Sequence, residues 1–320
     1  MPGFPHEPSE NEIPVPALPN PLYKQYRLPL YRRLSTLPEL DVVHCHGPAT
    51  TGLMGRRYAK QHDCKSVYTH HTPIEDYLIR ALRFESLSQR VGNLYVAYEN
   101  RFLQSFDCVT ASTSRIRRDV DPHQLPVGIE MDFFEPQPET LFDGGRPIIG
   151  YSGRMSTKKN LDEIVRLAEA CPDYRFELVG EGPARSHLEA IAPENVTFRD
   201  FMPREQLPAF YSSLDVFVTA STCDTLGLST LEANACGTPV AAADVQPFDE
   251  TIGPKNGGRF TYQDIDDMKR AVRECLLEPK ETRPVVEAFS IERTVDELES
   301  IYGVEDTDES PSRVPTAAPP

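Results

Sequence analysis

The sequence predicts an α/β protein of two domains, each a parallel sheet with crossover helices. Three observations carry that expectation. Short β-branched runs alternate with helical patterns between residues 41 and 302, the order that places helices between parallel strands. In the second half each run ends in turn residues or passes into a helix. A length of 320 residues gives each of two domains enough chain to bury a core of its own.

Taken in order, residues 1–21 are rich in Pro, Glu and Ser and are expected to lack fixed structure, as are residues 303–320. Residues 22–135 form the first domain. Its strands are expected at 41–45, 66–69 and 108–111, with a weak one at 125–127 and one or two helices within 74–105. Residues 136–146, with Pro, Asp and Gly, read as a linker. The second domain, 147–302, is expected to place strands at 148–151, 176–179, 196–198, 216–219 and 240–242. A closing helix spans 290–302, with Ser290 as N-cap and Arg293 at the third helical position instead of an acid.

Composition narrows the function. With 49 acidic and 33 basic residues the net charge is −16, opposite to the basic stripe of a nucleic-acid-binding surface. That balance suits an acidic cytosolic protein or one kept soluble in high salt. The seven cysteines are scattered, with no C-x-x-C pair, and read as reduced packed thiols. No apolar run approaches the roughly 18 residues that span a bilayer, and the acidic, Pro-rich N-terminus is no signal peptide. The chain therefore reads as cytoplasmic.

The densest chemistry lies between Ser221 and Val240. Asp224 and Glu232 are separated by seven residues that include Gly227 and Ser229. Gly227 opens a helix whose first N–H groups, those of Leu228, Ser229 and Thr230, are expected to be free for an anion. Glu232, just over one turn in, can accept hydrogen bonds from a sugar diol. A phosphate seat flanked by two such acids suits a sugar nucleotide.

The segment Glu232-Ala233-Asn234-Ala235-Cys236-Gly237-Thr238-Pro239-Val240, with its upstream acid, resembles the donor-site signature of family 4 (group 1) retaining glycosyltransferases. The resemblance implies the GT-B fold, two Rossmann-like α/β domains facing a cleft. The first acid is Asp224 where the family has Glu, and Leu226 stands where an aromatic is usual; the shorter acid is expected to shift donor preference. Gly153-Arg154-Met155-Ser156-Thr157-Lys158-Lys159-Asn160 resembles the family's Gly-Arg-Leu…Lys-Asn motif, which implies that Arg154 and Lys159 hold the donor diphosphate. Two fixed cations stabilise the charge that gathers on a leaving nucleoside diphosphate. Val179-Gly180-Glu181-Gly182-Pro183 resembles the family's Gly-x-Gly-Pro loop. Asp200-Phe201-Met202-Pro203 matches the loop that meets the nucleobase, so Met202 is an expected base contact.

The first half carries His44, His46, His62, His70 and His71. His44 and His46 alternate along a strand and can share one side, but no H-E-x-x-H or acidic spacing supports a zinc site. Thr69-His70-His71-Thr72-Pro73-Ile74-Glu75-Asp76-Tyr77 resembles a segment of family 4 enzymes that glycosylate diacylglycerol-type lipids, in which the histidine matching His71 faces the sugar. Tyr23, Lys24, Tyr26, Arg27, Tyr31, Arg32 and Arg33 form a basic aromatic island, joined by Arg80, Arg83 and Arg90; this suits docking on the cytoplasmic face of an anionic membrane, or a solvated helix face.

Together these imply a retaining hexosyltransferase acting from a nucleotide sugar onto a lipid or glycan hydroxyl, with no metal and no cofactor. Asp224 would hold sugar hydroxyls and Glu232 the ribose. The family's first domain begins with further βα units, for which nothing before Tyr23 can account. The resemblance is therefore expected to span residues 38–302, with a first domain incomplete at its N-terminus. That leaves two alternatives: a truncated or non-catalytic GT-B subunit that binds a nucleotide sugar, and a GT-B epimerase or phosphorylase.

Overall fold

The structure, a computed structural model of the chain, describes residues 16–19, 28–30, 37–47, 50–71, 85–114, 116, 118–125, 127–138, 141–142 and 145–304. Two strands of two residues, β1 (Ala17–Leu18) and β2 (Leu28–Pro29), pair antiparallel near the start. The first of them lies where no fixed structure was expected. Leu30 N–H closes the pair by donating to Pro16 O at 2.7 Å.

The first sheet contains β3 (Val42–Cys45), β4 (Lys65–His70), β5 (Cys108–Ala111) and β6 (His123–Gln124), in the order β3-β4-β5-β6, all parallel. Helix α1 (Thr50–His62) joins β3 to β4, and α2 (Glu85–Leu103) precedes β5. The weak strand expected at 125–127 ends earlier. Leu125 N–H still bonds Ala111 O at 2.8 Å, and residue 126 lies outside the described residues. Helix α2 is tied down by Glu99, which is fully buried and accepts hydrogen bonds from Tyr95 at 3.0 Å and Arg118 at 2.5 Å.

The second sheet holds β7 (Ile148–Ser152), β8 (Arg175–Val179), β9 (Val196–Arg199), β10 (Val216–Thr219), β11 (Val240–Ala243) and β12 (Gly257–Phe260). Its order is β12-β11-β10-β7-β8-β9, again parallel. Strands β7, β10 and β11 are buried along their whole length, as expected for a parallel sheet covered on both faces. The covering helices include α3 (Leu161–Ala170), α4 (Arg185–Ile191), α5 (Leu207–Ser212), α6 (Leu228–Ala235) and α7 (Phe248–Thr251). After β12 follow α8 (Ile265–Leu277), α9 (Thr282–Val286) and α10 (Ile291–Tyr302). On α8 the buried residues Met268, Ala271, Val272 and Cys275 recur at helical spacing, and Asp264 caps the first turn by accepting from Asp267 N–H at 3.0 Å. Strand β12 was not foreseen, because Gly257-Gly258 reads as a turn. A Cβ on Gly257 would meet Val240 O at 2.0 Å, so glycine there serves close packing inside the sheet.

The chain crosses back at its end. Ser290 caps α10 by accepting from Arg293 N–H, as expected. Ile301 of α10 packs with Val67 of β4 and with Leu125, just past β6, and Ile129 bridges to Ser290.

Candidate active site

In the second sheet the connections run to opposite sides of β7 and β10, which are neighbours. That reversal leaves a crevice beyond their C-terminal ends, where ligands of open α/β sheets bind. Gly153 and Arg154 follow β7, and Ser221–Gly227 follow β10. The loops after β7 and β8 pack backbone to backbone: Gly153 N–H donates to Val179 O at 3.0 Å and Met155 N–H to Glu181 O at 2.8 Å. Gly180 makes this approach possible, since a Cβ there would lie 2.1 Å from Gly153 O.

Lys159 is held by its neighbour. Asn160 adopts a left-handed conformation (φ 51°), and its amide donates to Ala220 O at 2.9 Å and to Thr222 Oγ1 at 3.2 Å. This pins the β7 loop against the end of β10, where the Lys159 ammonium pairs with the Asp224 carboxylate. Both groups are largely shielded, with side chains 27% and 17% exposed.

Gly227, at φ 75°, turns the chain into α6, and a Cβ there would meet the Phe248 ring at 2.5 Å. Leu228 and Ser229 begin the helix facing the crevice. Thr230 differs from expectation. Its N–H bonds Gly227 O at 2.9 Å, so the anion-facing N–H groups of this turn reduce to those of Leu228 and Ser229.

Glu232 accepts a 2.7 Å hydrogen bond from the Tyr211 hydroxyl, which also bonds Ser152 Oγ at 2.7 Å. With the Tyr211 O–H committed to Glu232, Ser152 donates to Tyr211. Burial raises the Glu232 carboxyl above the ordinary range, opposed by the Tyr211 hydrogen bond and the Arg204 charge.

One cavity of about 680 Å³ gathers these groups. Gly153, Arg154, Lys159, Met202, Asp224, Leu228, Ser229 and Glu232 line it, and His71 faces them from the first sheet. All the expected site residues are thus brought to one place. Tyr211, Glu181 and Phe201 line the cavity as well without having been singled out. Tyr211 has no motif of its own, whereas Phe201 was legible as an aromatic in a strand-end loop and stands 70% exposed.

Across the cleft, His71 Nε2 lies 2.8 Å from His46 Nδ1. His44 bonds Tyr302 OH through Nδ1 at 2.6 Å and Thr69 Oγ1 through Nε2 at 2.5 Å. His44 and His46 do share one side, their ring centroids 4.2 Å apart. Among the described residues no group of three or more His, Cys, Asp or Glu is arranged to hold a metal ion. The two halves also touch directly: Ser112 Oγ donates to Thr225 O at 3.2 Å, and Ser114 N–H to Glu250 at 2.9 Å. Of the basic island, residues 23–27, 31–33, 80 and 83 lie outside the described residues, while Arg90 is exposed on α2.

A family model described as "Glycosyl transferases group 1" matches residues 132–289, and one described as "Glycosyltransferase Family 4" matches residues 2–127. The second begins well before residue 38, so the likeness extends further toward the N-terminus than the motifs alone implied. The 2-deoxystreptamine glucosyltransferase of Streptomyces kanamyceticus is 28% identical over 78% of this chain and 64% of its own length. The alpha-monoglucosyldiacylglycerol synthase of Streptococcus pneumoniae is 28% identical over 83% of this chain and 66% of its own. The chain thus spans just under two thirds of the length of these relatives. Anabaena HepE, solved in complex with UDP and glucose, superposes with a TM-score of 0.62 at 17% identity, over 83% of this chain and 78% of HepE. The chain belongs to the family 4, group 1 glycosyltransferases and has the two-domain GT-B fold of that family.

Proposed function

We propose that the protein moves a hexose from a nucleotide sugar to the hydroxyl of a lipid or glycan, with retention at the anomeric carbon. The observation that carries this reading is a single one: two cations, a helix N-terminus and two acids share one cavity with His71 of the opposite sheet. Arg154, Lys159 and the Leu228 and Ser229 N–H groups hold the diphosphate. Glu232, propped by Tyr211, takes the ribose hydroxyls, and Met202 meets the base. Asp224 and His71 hold the sugar between the domains.

In the reaction the bond from C1 to the β-phosphate oxygen breaks and one from C1 to the acceptor oxygen forms on the same face. The acceptor proton passes to the departing phosphate oxygen. Arg154 and Lys159 stabilise the negative charge gathering there, the part a divalent cation plays in other transferases. The relatives named as a 2-deoxystreptamine glucosyltransferase and an alpha-monoglucosyldiacylglycerol synthase support transfer to an acceptor over the epimerase or phosphorylase alternative, and the second supports a lipid acceptor.

A lipid acceptor fits one face of α2. Arg90, Leu94, Tyr98 and Arg101 recur at helical spacing there, and all are exposed, Leu94 to 73%. We read this face as the part that meets an anionic bilayer on the cytoplasmic side. Among the described residues no helix is long and apolar enough to cross a membrane.

The test is transfer from UDP-glucose to dioleoylglycerol in vesicles, with and without phosphatidylglycerol and with EDTA present throughout. The expected product is the α-glucoside, by NMR of its anomeric proton, formed faster on the anionic vesicles. A β-linked product would contradict retention, and abolition by EDTA would contradict a metal-independent site.

A further inference from the structure

The imidazoles of His44, His46 and His71 form a column that reaches the cavity at His71 and that the donor chemistry alone does not explain. His46 and His71 stack with centroids 5.1 Å apart and planes 18° from parallel, joined by the 2.8 Å bond from His46 Nδ1 to His71 Nε2. His46 rests on His44 at 4.2 Å. His44 is fixed at both nitrogens, by Tyr302 of the closing helix and by Thr69, which itself bonds Thr110 at 2.7 Å.

We propose that His46 is the positioning residue for His71: it holds the ring plane and tautomer of His71, so that Nδ1 is the nitrogen presented to the bound sugar. A bond between two neutral imidazoles needs one N–H and one lone pair. Whichever ring donates, Nε2 of His71 is engaged, and the state of its Nδ1 is set by the same bond. Burial lowers the proton affinity of all three rings, with repulsion from His46 and His71 adding at His44 and from His46 and His70 at His71, a direction that favours the neutral rings this bond requires. A ring held on one side by its partner loses little rotational freedom on meeting a ligand, the condition for a sugar-facing group to act without prior ordering. The inference rests on the reading that His71 faces the sugar.

The experiment uses the full chain with UDP-glucose as donor, comparing His46→Ala, His46→Asn, His71→Ala and the double alanine variant. His46→Ala and His71→Ala are each expected to lower kcat about 10- to 100-fold, with UDP affinity unchanged within about twofold. The double variant should be no slower than His71→Ala, and His46→Asn, whose amide can still bond Nε2, should regain most of the rate. Full kcat in His46→Ala beside a crippled His71→Ala would overturn the positioning role, as would losses that multiply in the double variant. Full kcat in His71→Ala would instead overturn the sugar-facing reading, and this inference with it. A second readout needs no turnover. In long-range 1H–15N spectra His71 should show one tautomer in the wild type and averaged nitrogen shifts in His46→Ala; identical His71 shifts in both would overturn the proposal.

Discussion

His44 shows how one side chain joins local bonding to the behaviour of the whole chain. Burial, with charge repulsion from His46 and His71 added, pushes its pKa from the ordinary 6.5 down to about 4. In the unfolded chain the ring takes a proton near its ordinary value. The native state therefore keeps its full advantage above pH 6.5 and loses it as pH falls from there toward about 4. The expected outcome is a melting temperature that drops across this window more steeply in the wild type than in His44→Gln, which retains an amide toward Tyr302 and Thr69. Equal slopes would assign the acid sensitivity elsewhere. Neither the column nor its depressed proton affinity was legible from sequence. Alternation placed His44 and His46 on one side, but the bond to His71 needs the register that sets β3 beside β4, with His44 opposite Val67.

At the scale of elements, the donor half was read almost completely. Its strands are apolar runs closed by turn residues, and its signature residues sit at strand ends, where a parallel sheet binds ligands. What stayed hidden was held by long-range contact. Strand β12 is disguised by glycines that the neighbouring backbone requires, and Tyr211 reaches Glu232 from an unmarked helix. A buried amide pair locks the far end of α6. Asn256 donates to Asn234 Oδ1 at 2.8 Å and to Thr251 O at 2.9 Å, and accepts from Gly253 N–H at 2.8 Å. Both asparagines are fully buried, so Asn256→Ala leaves these partners unsatisfied and should destabilise the protein by about 3 kcal/mol in chemical denaturation. A change below about 0.5 kcal/mol would show that these bonds are replaced by others.

For the whole molecule, the decisive element is α10, which begins on the second domain and ends on the first. Its entry is tight: Ile291 N–H donates to Ile129 O at 3.0 Å, and a Cβ on Gly128 would lie 2.5 Å from Ile291 Cα. Gly128→Val should thus push the helix away from its seat and lower stability by about 2 kcal/mol, read as a fall in melting temperature. An unchanged melting temperature would mean that the seating does not hold the domains. The helix itself was legible, since Ser290 announces its start, whereas its crossing rests on long-range contacts of Ile301 with Val67 and Leu125. The cleft it closes follows from topology: two sheets whose strand ends face one another with cations on one side and imidazoles on the other.

The central claim is that this cleft seats a nucleoside diphosphate on Arg154 and Lys159. Calorimetric titration of the full chain with UDP and with GDP tests it most directly. UDP, the nucleotide of the donor used in the transfer assay, should bind at a single site, and Arg154→Ala and Lys159→Ala should each weaken that binding about 10- to 100-fold, the worth of one charge-assisted hydrogen bond. Absence of binding by both nucleotides, or variants that bind as the wild type does, would contradict the account.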